Sequence, residues 1–374
     1  MCIDVGTNNQ ALLDDAQYTG IRAKRVTGER YTAFLDEVVS GLKAWQPHVL
    51  LQFEDFANHH AFELLDKHRK AACAFNDDIQ GTACITLAGL LSAARATGKT
   101  LEQHTFLFLG AGEAGTGIGE LIATYMKLRT GCTMEEGRKR CFFVDSKGLV
   151  CAERGPIGEL QHHKRAFAHA GVPFCADLVS AVKQLRPTAL IGVSTIAKAF
   201  SEEVVRAMSE INDRPILFPL SNPTSKAECT FEEAFGWSDG RVLFASGSPF
   251  PPLESAADGK THHPAQANNA YVFPAVGFAA VLTRARAITD ESFVDTAEAL
   301  SVMTTREELE TGRLFPAFSG IRAVSAALAA RVAKKMVEEG LGALPAGVSA
   351  GAGDAEWEAY VASQMWDASR LADA

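Results

Sequence analysis

The sequence predicts an α/β fold with a doubly wound, mostly parallel sheet, on two observations. First, apolar runs alternate with helical patterns over residues 77–268, which is the order of strands and helices in such a sheet. Second, the apolar run 106–109 leads directly into the glycine-rich segment 110–115 and then into a helical pattern. This is the first βα turn of a Rossmann-type unit. The strand candidates are residues 106–109, 141–144, 188–193, 215–220 and 242–246.

The regions on either side predict a second, partial α/β domain and a short helical tail. Residues 30–45 have the pattern of an amphipathic helix, 48–53 that of a buried strand, and 270–340 are largely helical. A further helix is expected at 354–371, whereas the charged insertion 129–140 is expected to be a solvated loop. The expected domains are a dinucleotide-binding domain at 77–268, a second domain formed by 1–76 and 269–340, and a tail at 341–374.

Composition narrows the class of protein. A chain of 374 residues with 47% hydrophobic residues can bury a substantial core, and its net charge of −9 argues against a nucleic-acid partner. No apolar run reaches the ~20 residues that a membrane-spanning helix needs, and the first residues are strand-like rather than a signal or transit peptide. The eight cysteines form no CxxC pair, so we expect reduced thiols in a soluble protein of a reducing compartment.

The glycine-rich segment predicts a phosphate-binding turn. Gly110 would allow the tight turn, Gly112 the close approach of backbone to a pyrophosphate, and Gly115 close packing of helix on strand. Glu113 and Ala114 lie between them, at the helix N-terminus that attracts anions. A glycine turn needed only for packing is the alternative.

Two acidic pairs indicate a metal site. Glu54-Asp55 and Asp77-Asp78 are each flanked by apolar residues, where carboxylates are costly to bury unless they are paired or bind a metal. An all-oxygen ligand set suits Mg²⁺ or Mn²⁺ rather than zinc. Helix capping by Asp77 or Asp78 is the alternative.

Six long motifs are distributed over nearly the whole chain: residues 2–9 (CIDVGTNN), 52–56 (QFEDF), 75–83 (FNDDIQGTA), 108–115 (FLGAGEAG), 220–224 (LSNPT) and 244–250 (FASGSPF). In sequence and in order, these motifs resemble those of malic enzymes.

The resemblance implies oxidative decarboxylation of L-malate to pyruvate and CO₂, with reduction of a nicotinamide dinucleotide and a divalent cation, Mg²⁺ or Mn²⁺. By motif matching, Glu54, Asp55 and Asp78 would be the metal ligands, and Asp77 the carboxylate that assists the catalytic base. Asn222 and Asn269 would contact malate, and Asn222 the cofactor as well. Family members often have glycine at the position of Ala267, a departure that concerns only the geometry of this loop.

The residues after the second strand bear on the choice of nicotinamide. Asp145 fits the acidic residue that binds a ribose 2′-hydroxyl, although it lies farther from Gly110 than the usual ~20 residues, and the charged insertion accounts for the excess. Asp145 alone would favour NAD. Ser146 and Lys164 match a serine and a lysine of NADP-preferring malic enzymes, and a cation there would offset the 2′-phosphate charge. We therefore expect NADP rather than NAD, with a solvated basic loop as the alternative.

Three other functions stay open at this point. They are a malolactic-type enzyme that retains its nicotinamide, a non-catalytic NADP- and metal-binding subunit or fragment, and a 2-hydroxy-acid dehydrogenase without a metal. Malic enzymes also have an upstream segment that supplies a catalytic tyrosine, a lysine base and an arginine that contacts malate. The present sequence starts after all three, so we expect impaired turnover.

The resemblance also carries expectations about partners and compartment. We expect a homo-oligomer in the complete family form, with no nucleic-acid or membrane partner. Family members occur in the cytosol, mitochondria and plastids, so the compartment stays open, with the cytosol preferred.

Overall fold

The structure is a computed structural model, and it describes residues 3–367 of the chain. Two compact units divide between residues 49 and 50. The domain bounds expected from the sequence differ from this division and stay predictions. Cys2 and residues 368–374, the end of the expected tail, lie outside the described residues.

The smaller unit contains two helices and a loop held by side-chain hydrogen bonds. Its helices are α1 (Gln10–Asp14) and α2 (Glu29–Trp45). The Asp4 carboxylate accepts hydrogen bonds from the backbone N–H groups of Gly6 and Ile21, at 2.8 and 2.7 Å. The Arg22 guanidinium donates to four backbone carbonyls, among them that of Asp15 at 2.7 Å. Backbone hydrogen bonds, such as the 3.0 Å bond from Thr7 N–H to the Ala23 carbonyl, hold the same loop.

The described part of the larger unit has eleven strands, which form a seven-stranded sheet and two separate pairs. Its strands in chain order are β1 (Leu50–Phe53), β2 (Cys73–Asn76), β3 (Phe106–Leu109), β4 (Cys141–Asp145), β5 (Gly148–Leu149), β6 (Ala189–Gly192), β7 (Ile216–Pro219), β8 (Leu243–Ser246), β9 (Leu253–Glu254), β10 (Thr261–His262) and β11 (Ala265–Gln266). The sheet has the order β11-β8-β7-β6-β3-β4-β5, and only the β4–β5 pair is antiparallel. Strands β1 and β2 form a separate parallel pair, and β9 and β10 an antiparallel one.

Helices lie between and after these strands. They are α3 (Asn58–His68), α4 (Thr82–Thr97), α5 (Glu113–Thr130), α6 (Met134–Arg138), α7 (Leu178–Leu185), α8 (Glu202–Ile211), α9 (Phe231–Trp237), α10 (Phe273–Thr283), α11 (Asp290–Ser301), α12 (Arg306–Glu310), α13 (Ile321–Glu338) and α14 (Asp354–Gln364). A short π-helix, Asp77–Gly81, joins β2 to α4. No described helix has both the length and the apolar character that a membrane span requires.

Alternating residues of the central strands bury their side chains in two different cores. Phe106 and Phe108 of β3 pack into the core that contains α4, α5, α10, α11 and α13. Leu107 and Leu109 pack into the core that contains α7, α8 and α9. Successive side chains of a strand point to opposite faces, so helices cover both faces of the sheet. The predicted doubly wound α/β fold with a helical tail is confirmed.

The expected solvated loop is wrong for seven residues of the charged insertion 129–140, since residues 129 and 130 end α5 and residues 134–138 form a further helix. Residues 134–138 form α6, because Thr133 and Glu136 make a capping box at its N-terminus. Arg129 pairs with Asp295 and Glu298, and Arg138 with Glu120. The insertion's charges therefore find partners on α5 and α11.

The described cysteines agree with the expectation from the sequence. All seven are free thiols, and all but Cys132 are buried.

Candidate active site

The two acidic pairs meet because β1 and β2 are parallel and end side by side. Phe53 is the register partner of Asn76, so Glu54-Asp55 and Asp77-Asp78 follow paired residues. The Asp78 carboxylate accepts a hydrogen bond of 2.8 Å from the backbone N–H of Asp55. Asp55 has a left-handed backbone with φ of 60°, which is uncommon for a residue other than glycine.

Helix capping does not explain the acidic pair at 77 and 78. The side chain of Asn76 accepts from the Ile79 N–H at 2.9 Å and caps the π-helix. The capping alternative is therefore wrong, and both aspartates are left for other roles.

Asp77 is the buried member of the cluster, with 2% of its surface exposed. Its Oδ2 accepts a 3.1 Å hydrogen bond from Asn269 Nδ2, while Oδ1 has no hydrogen-bond partner among the described residues. Burial raises the pKa of Asp77 to about 7, and the negative charges of Glu54 and Asp78 add to this, against the lowering effect of the Asn269 hydrogen bond. A buried carboxylate oxygen without a donor is a position that a cation or a substrate proton would satisfy.

Gly81 makes room for this carboxyl group. A Cβ atom on Gly81 would lie 2.0 Å from Asp77 Oδ1. The π-helix thus places a residue without a side chain directly behind the buried oxygen.

A cleft of about 360 Å³ brings together five of the predicted residues. Its walls include Glu54, Asp77, Asp78, Asn222 and Asn269. The Asn222 Oδ1 accepts from Ser248 Oγ at 2.9 Å, and Asn269 Nδ2 contacts Thr82 Oγ1 at 3.2 Å as well as Asp77. Carboxylate and amide oxygens form the ligand set that a hard divalent cation prefers, so the cleft fits Mg²⁺ or Mn²⁺.

The glycine-rich turn has the geometry that its sequence predicts. Gly110 has φ of +109°, and a Cβ atom there would lie 2.7 Å from the carbonyl oxygen of Val193. A Cβ atom on Gly115 would lie 2.7 Å from the carbonyl oxygen of Gly110. Gly112 precedes the first residue of α5, Glu113, and faces open space. Two glycines are thus needed for packing, and the third leaves space at a helix N-terminus where phosphate can bind.

Asp145, at the end of β4, forms ion pairs with two cationic side chains. The sequence predicted a role for Lys164 but not for Arg154. Arg154 contacts both carboxylate oxygens, at 2.7 and 3.1 Å, and Lys164 Nζ contacts Oδ2 at 2.8 Å. Burial acts to raise the pKa of Asp145, but the hydrogen bonds from Arg154 and Lys164 hold it below its usual value. Two cations against one carboxylate leave a net positive charge beside the exposed Ser146. Only the fold shows the role of Arg154, which lies on a 3₁₀ turn nine residues after Asp145.

Comparison with known proteins gives one family. The sequence profile described as "Malic enzyme, NAD binding domain" matches residues 79–337, and the one described as "Malic enzyme, N-terminal domain" matches residues 1–69. NADP-dependent malic enzyme 1 of Arabidopsis thaliana is 51% identical over 345 residues, which cover 92% of this chain and 58% of that protein. The chloroplastic NADP-dependent malic enzyme of Zea mays is 50% identical over 340 residues, which cover 91% and 53%. The chain thus spans somewhat more than half the length of these relatives.

Solved structures share the fold. The malic enzyme of Entamoeba histolytica matches with a TM-score of 0.70 at 23% identity, over 90% of this chain and 64% of that one. The malic enzyme of Pyrococcus horikoshii Ot3 matches with a TM-score of 0.67 at 23% identity, over 88% and 69%.

The different space around Gly81 and Gly117 predicts opposite effects on stability when each is replaced by alanine. Gly81→Ala forces the buried Asp77 side chain to move and should lower the free energy of unfolding by about 1–3 kcal/mol. Gly117→Ala, inside α5, meets only an ordinary contact of 3.7 Å with Ile79 and should raise it by about 0.5–1 kcal/mol. Urea denaturation measures both, and changes of the same sign would contradict the packing described here.

Proposed function

The chain belongs to the malic enzyme family, and from this premise we propose that its site serves NADP-dependent oxidative decarboxylation of L-malate to pyruvate and CO₂. The observation that carries the proposal is the single cleft that joins Glu54, Asp77 and Asp78 to Asn222 and Asn269. The glycine turn lies at the end of a strand of the same unit. Substrate, cation and cofactor would therefore meet at the carboxyl ends of the strands, where ligands of open α/β sheets bind.

The chemistry divides between the bound groups and the chain. A divalent cation held by Glu54, Asp55 and Asp78 would polarise substrate oxygens and stabilise charge that develops as CO₂ leaves. The glycine turn at 110–115, together with Ser146 and Lys164, would hold NADP⁺, which would supply the hydride acceptor for C2 of malate. The chain's own side chains orient the substrate and move protons around these groups.

Asp77 and the two asparagines perform the chain's part of this work. The buried Asp77 carboxylate has one oxygen without a donor among the described residues, so it can accept a hydrogen bond from a base and assist it. Its hydrogen bond to Asn269 fixes both side chains against each other. Asn222 is held in place by Ser248, and its amide can donate to a malate oxygen.

The described lining of the cleft contains no lysine, tyrosine or arginine. Removal of the hydroxyl proton calls for a base such as lysine, and protonation of C3 calls for an acid such as tyrosine. General acid–base help is worth roughly 10²–10⁴-fold for each group. We therefore propose that the 374-residue chain binds NADP⁺ and Mn²⁺ but turns over malate poorly. A chain that binds both groups but has low turnover would act as a cofactor- and metal-binding subunit or fragment.

Malate-dependent formation of NADPH tests this proposal. The assay compares the chain as written with a version extended by any coding sequence that mapping of the transcript's 5′ end finds upstream. We expect substantial activity only from the extended version. Full activity of the 374-residue chain would show that the acid and base lie within it, and NADPH retained rather than released would favour the malolactic-type reaction.

The metal site predicts the effect of removing one carboxylate. Asp78→Ala should abolish binding of Mn²⁺, because it removes a ligand and also the acceptor that holds the Asp55 backbone. Asp66→Ala, which removes an exposed carboxylate of α3, serves as the control and should bind Mn²⁺ as the parent does. Titration calorimetry without cofactor measures both affinities. An unchanged Mn²⁺ affinity in Asp78→Ala would show that Asp78 is not a metal ligand.

The cations around Asp145 predict the choice of nicotinamide. Lys164→Ala should weaken NADP⁺ binding by roughly tenfold to a hundredfold, the value of one hydrogen bond between charged groups. NAD⁺ lacks the 2′-phosphate, so its affinity should not fall. Lys183→Ala, an exposed lysine of α7, is the control. Equal loss for both nucleotides would mean that Lys164 does not distinguish them.

A further inference from the structure

Glu228 is a fully buried carboxylate that neither the sequence motifs nor the proposed reaction uses. It lies between a 3₁₀ turn (Thr224–Lys226) and α9, and none of its surface is exposed. Within residues 3–367, its carboxylate takes part in no ion pair with lysine, arginine or histidine. A buried charge of this kind is expensive, so its surroundings must compensate for it by other means.

Four hydrogen bonds from two serines provide this compensation. Oε1 accepts from Ser221 Oγ at 2.5 Å and from the backbone N and the Oγ of Ser194 at 3.2 and 3.3 Å. Oε2 accepts from the backbone N of Ser221 at 3.4 Å. Ser194 follows β6 and Ser221 follows β7, so one carboxylate joins the loops that leave two neighbouring strands.

The last residue of β6 provides the space for this side chain. A Cβ atom on Gly192 would lie 2.4 Å from Glu228 Cδ. The recess therefore exists only because β6 ends in a residue without a side chain.

One of the two loops held by Glu228 contributes to the cleft described above, and the other lies against the glycine turn. Ser221 directly precedes Asn222 of the cleft wall. Its hydroxyl also accepts a 2.9 Å hydrogen bond from the N–H of Thr195, a β-branched residue in the left-handed region at φ of 58°. Such a backbone persists only when its neighbours hold it there. The other loop backs onto the glycine turn, since a Cβ atom on Gly110 would lie 3.0 Å from Ser194 N.

Strand order indicates which half of the dinucleotide these loops face. Asp145 and Lys164 stand at the end of β4, on one side of β3. Strands β6 and β7 lie on the other side of β3. With the pyrophosphate at the glycine turn after β3 and the 2′-phosphate near Lys164, the nicotinamide half extends over β6 and β7.

We propose that Glu228 is a positioning residue that sets the two loops under the nicotinamide half of the cofactor. The inference rests on the proposed function, because it needs NADP⁺ to bind in this cleft. Glu228→Gln keeps the shape of the side chain but turns an amide N–H₂ toward groups that are themselves donors. The loops then lose at least one hydrogen bond and the fixed distance between Ser194 and Ser221.

Binding of NADP⁺ and of adenosine 2′,5′-bisphosphate, which lacks the nicotinamide half, tests the proposal. By titration calorimetry, Glu228→Gln should weaken NADP⁺ roughly tenfold to a hundredfold, the value of one lost hydrogen bond to a charged group. Its affinity for the bisphosphate should equal that of the parent chain. Glu233→Gln, which changes a glutamate of the α9 capping box three residues after Thr230, is the matched control and should change neither affinity.

Results other than the expected one would contradict either the role of Glu228 or the proposed function. Unchanged NADP⁺ affinity, or an equal loss for both ligands, would overturn the role of Glu228. A parent chain that binds neither ligand would instead overturn the proposed function. Ser221→Ala removes only the hydroxyl link, so it carries the same test if circular dichroism shows that Glu228→Gln does not fold.

Discussion

Parallel pairing of strands is the constraint on which the whole site depends. Parallel strands end at the same edge of a sheet, so whatever follows each strand is brought to one place. The pair β1–β2 delivers the carboxylates, β3 the glycine turn, β4 Asp145, and β7 the loop with Asn222. Asn269, which follows β11 of the seven-stranded sheet, then links the two sheets, because its side chain donates a hydrogen bond to Asp77, 192 positions away.

Three buried or half-buried carboxylates are stabilised in three different ways. The groups around each carboxylate agree with the role proposed for it. Asp145 is neutralised by two cations, so its charge is hidden from a ligand. Glu228 is satisfied by serine donors alone and stays fixed. Asp77 keeps one oxygen without a donor among the described residues, and burial raises its pKa. Only the last of the three is left ready for chemistry.

Much of the fold and of the site could be predicted from the sequence, because both depend on local patterns. Apolar runs marked the strands to within a residue or two, as for β3 and β6, and the residues after them marked the cleft. Arg154, Gly81 and Glu228 could not be predicted in this way. Their roles come from the space and the charges around them in the folded chain, and an isolated arginine, glycine or glutamate has no local pattern that indicates this. The short helix in the insertion 129–140 could have been predicted, since Thr133 and Glu136 form a local capping-box pattern. The ion pairs of Arg129 and Arg138 could not, because they depend on the packing of helices.

The π-helix between β2 and α4 has a consequence for how the chain can vary. Each residue of an α-helix turns the chain by about 100°, and a π-turn contains one residue more than the α-helical turn it replaces. Deleting one residue from Asp77–Gly81 would restore α-helical geometry and rotate the two aspartates away from β1. Both aspartates could then be present in the sequence although their carboxylates no longer line the cleft. In relatives of this chain, the number of residues between the strand and the helix should therefore be as invariant as the aspartates themselves.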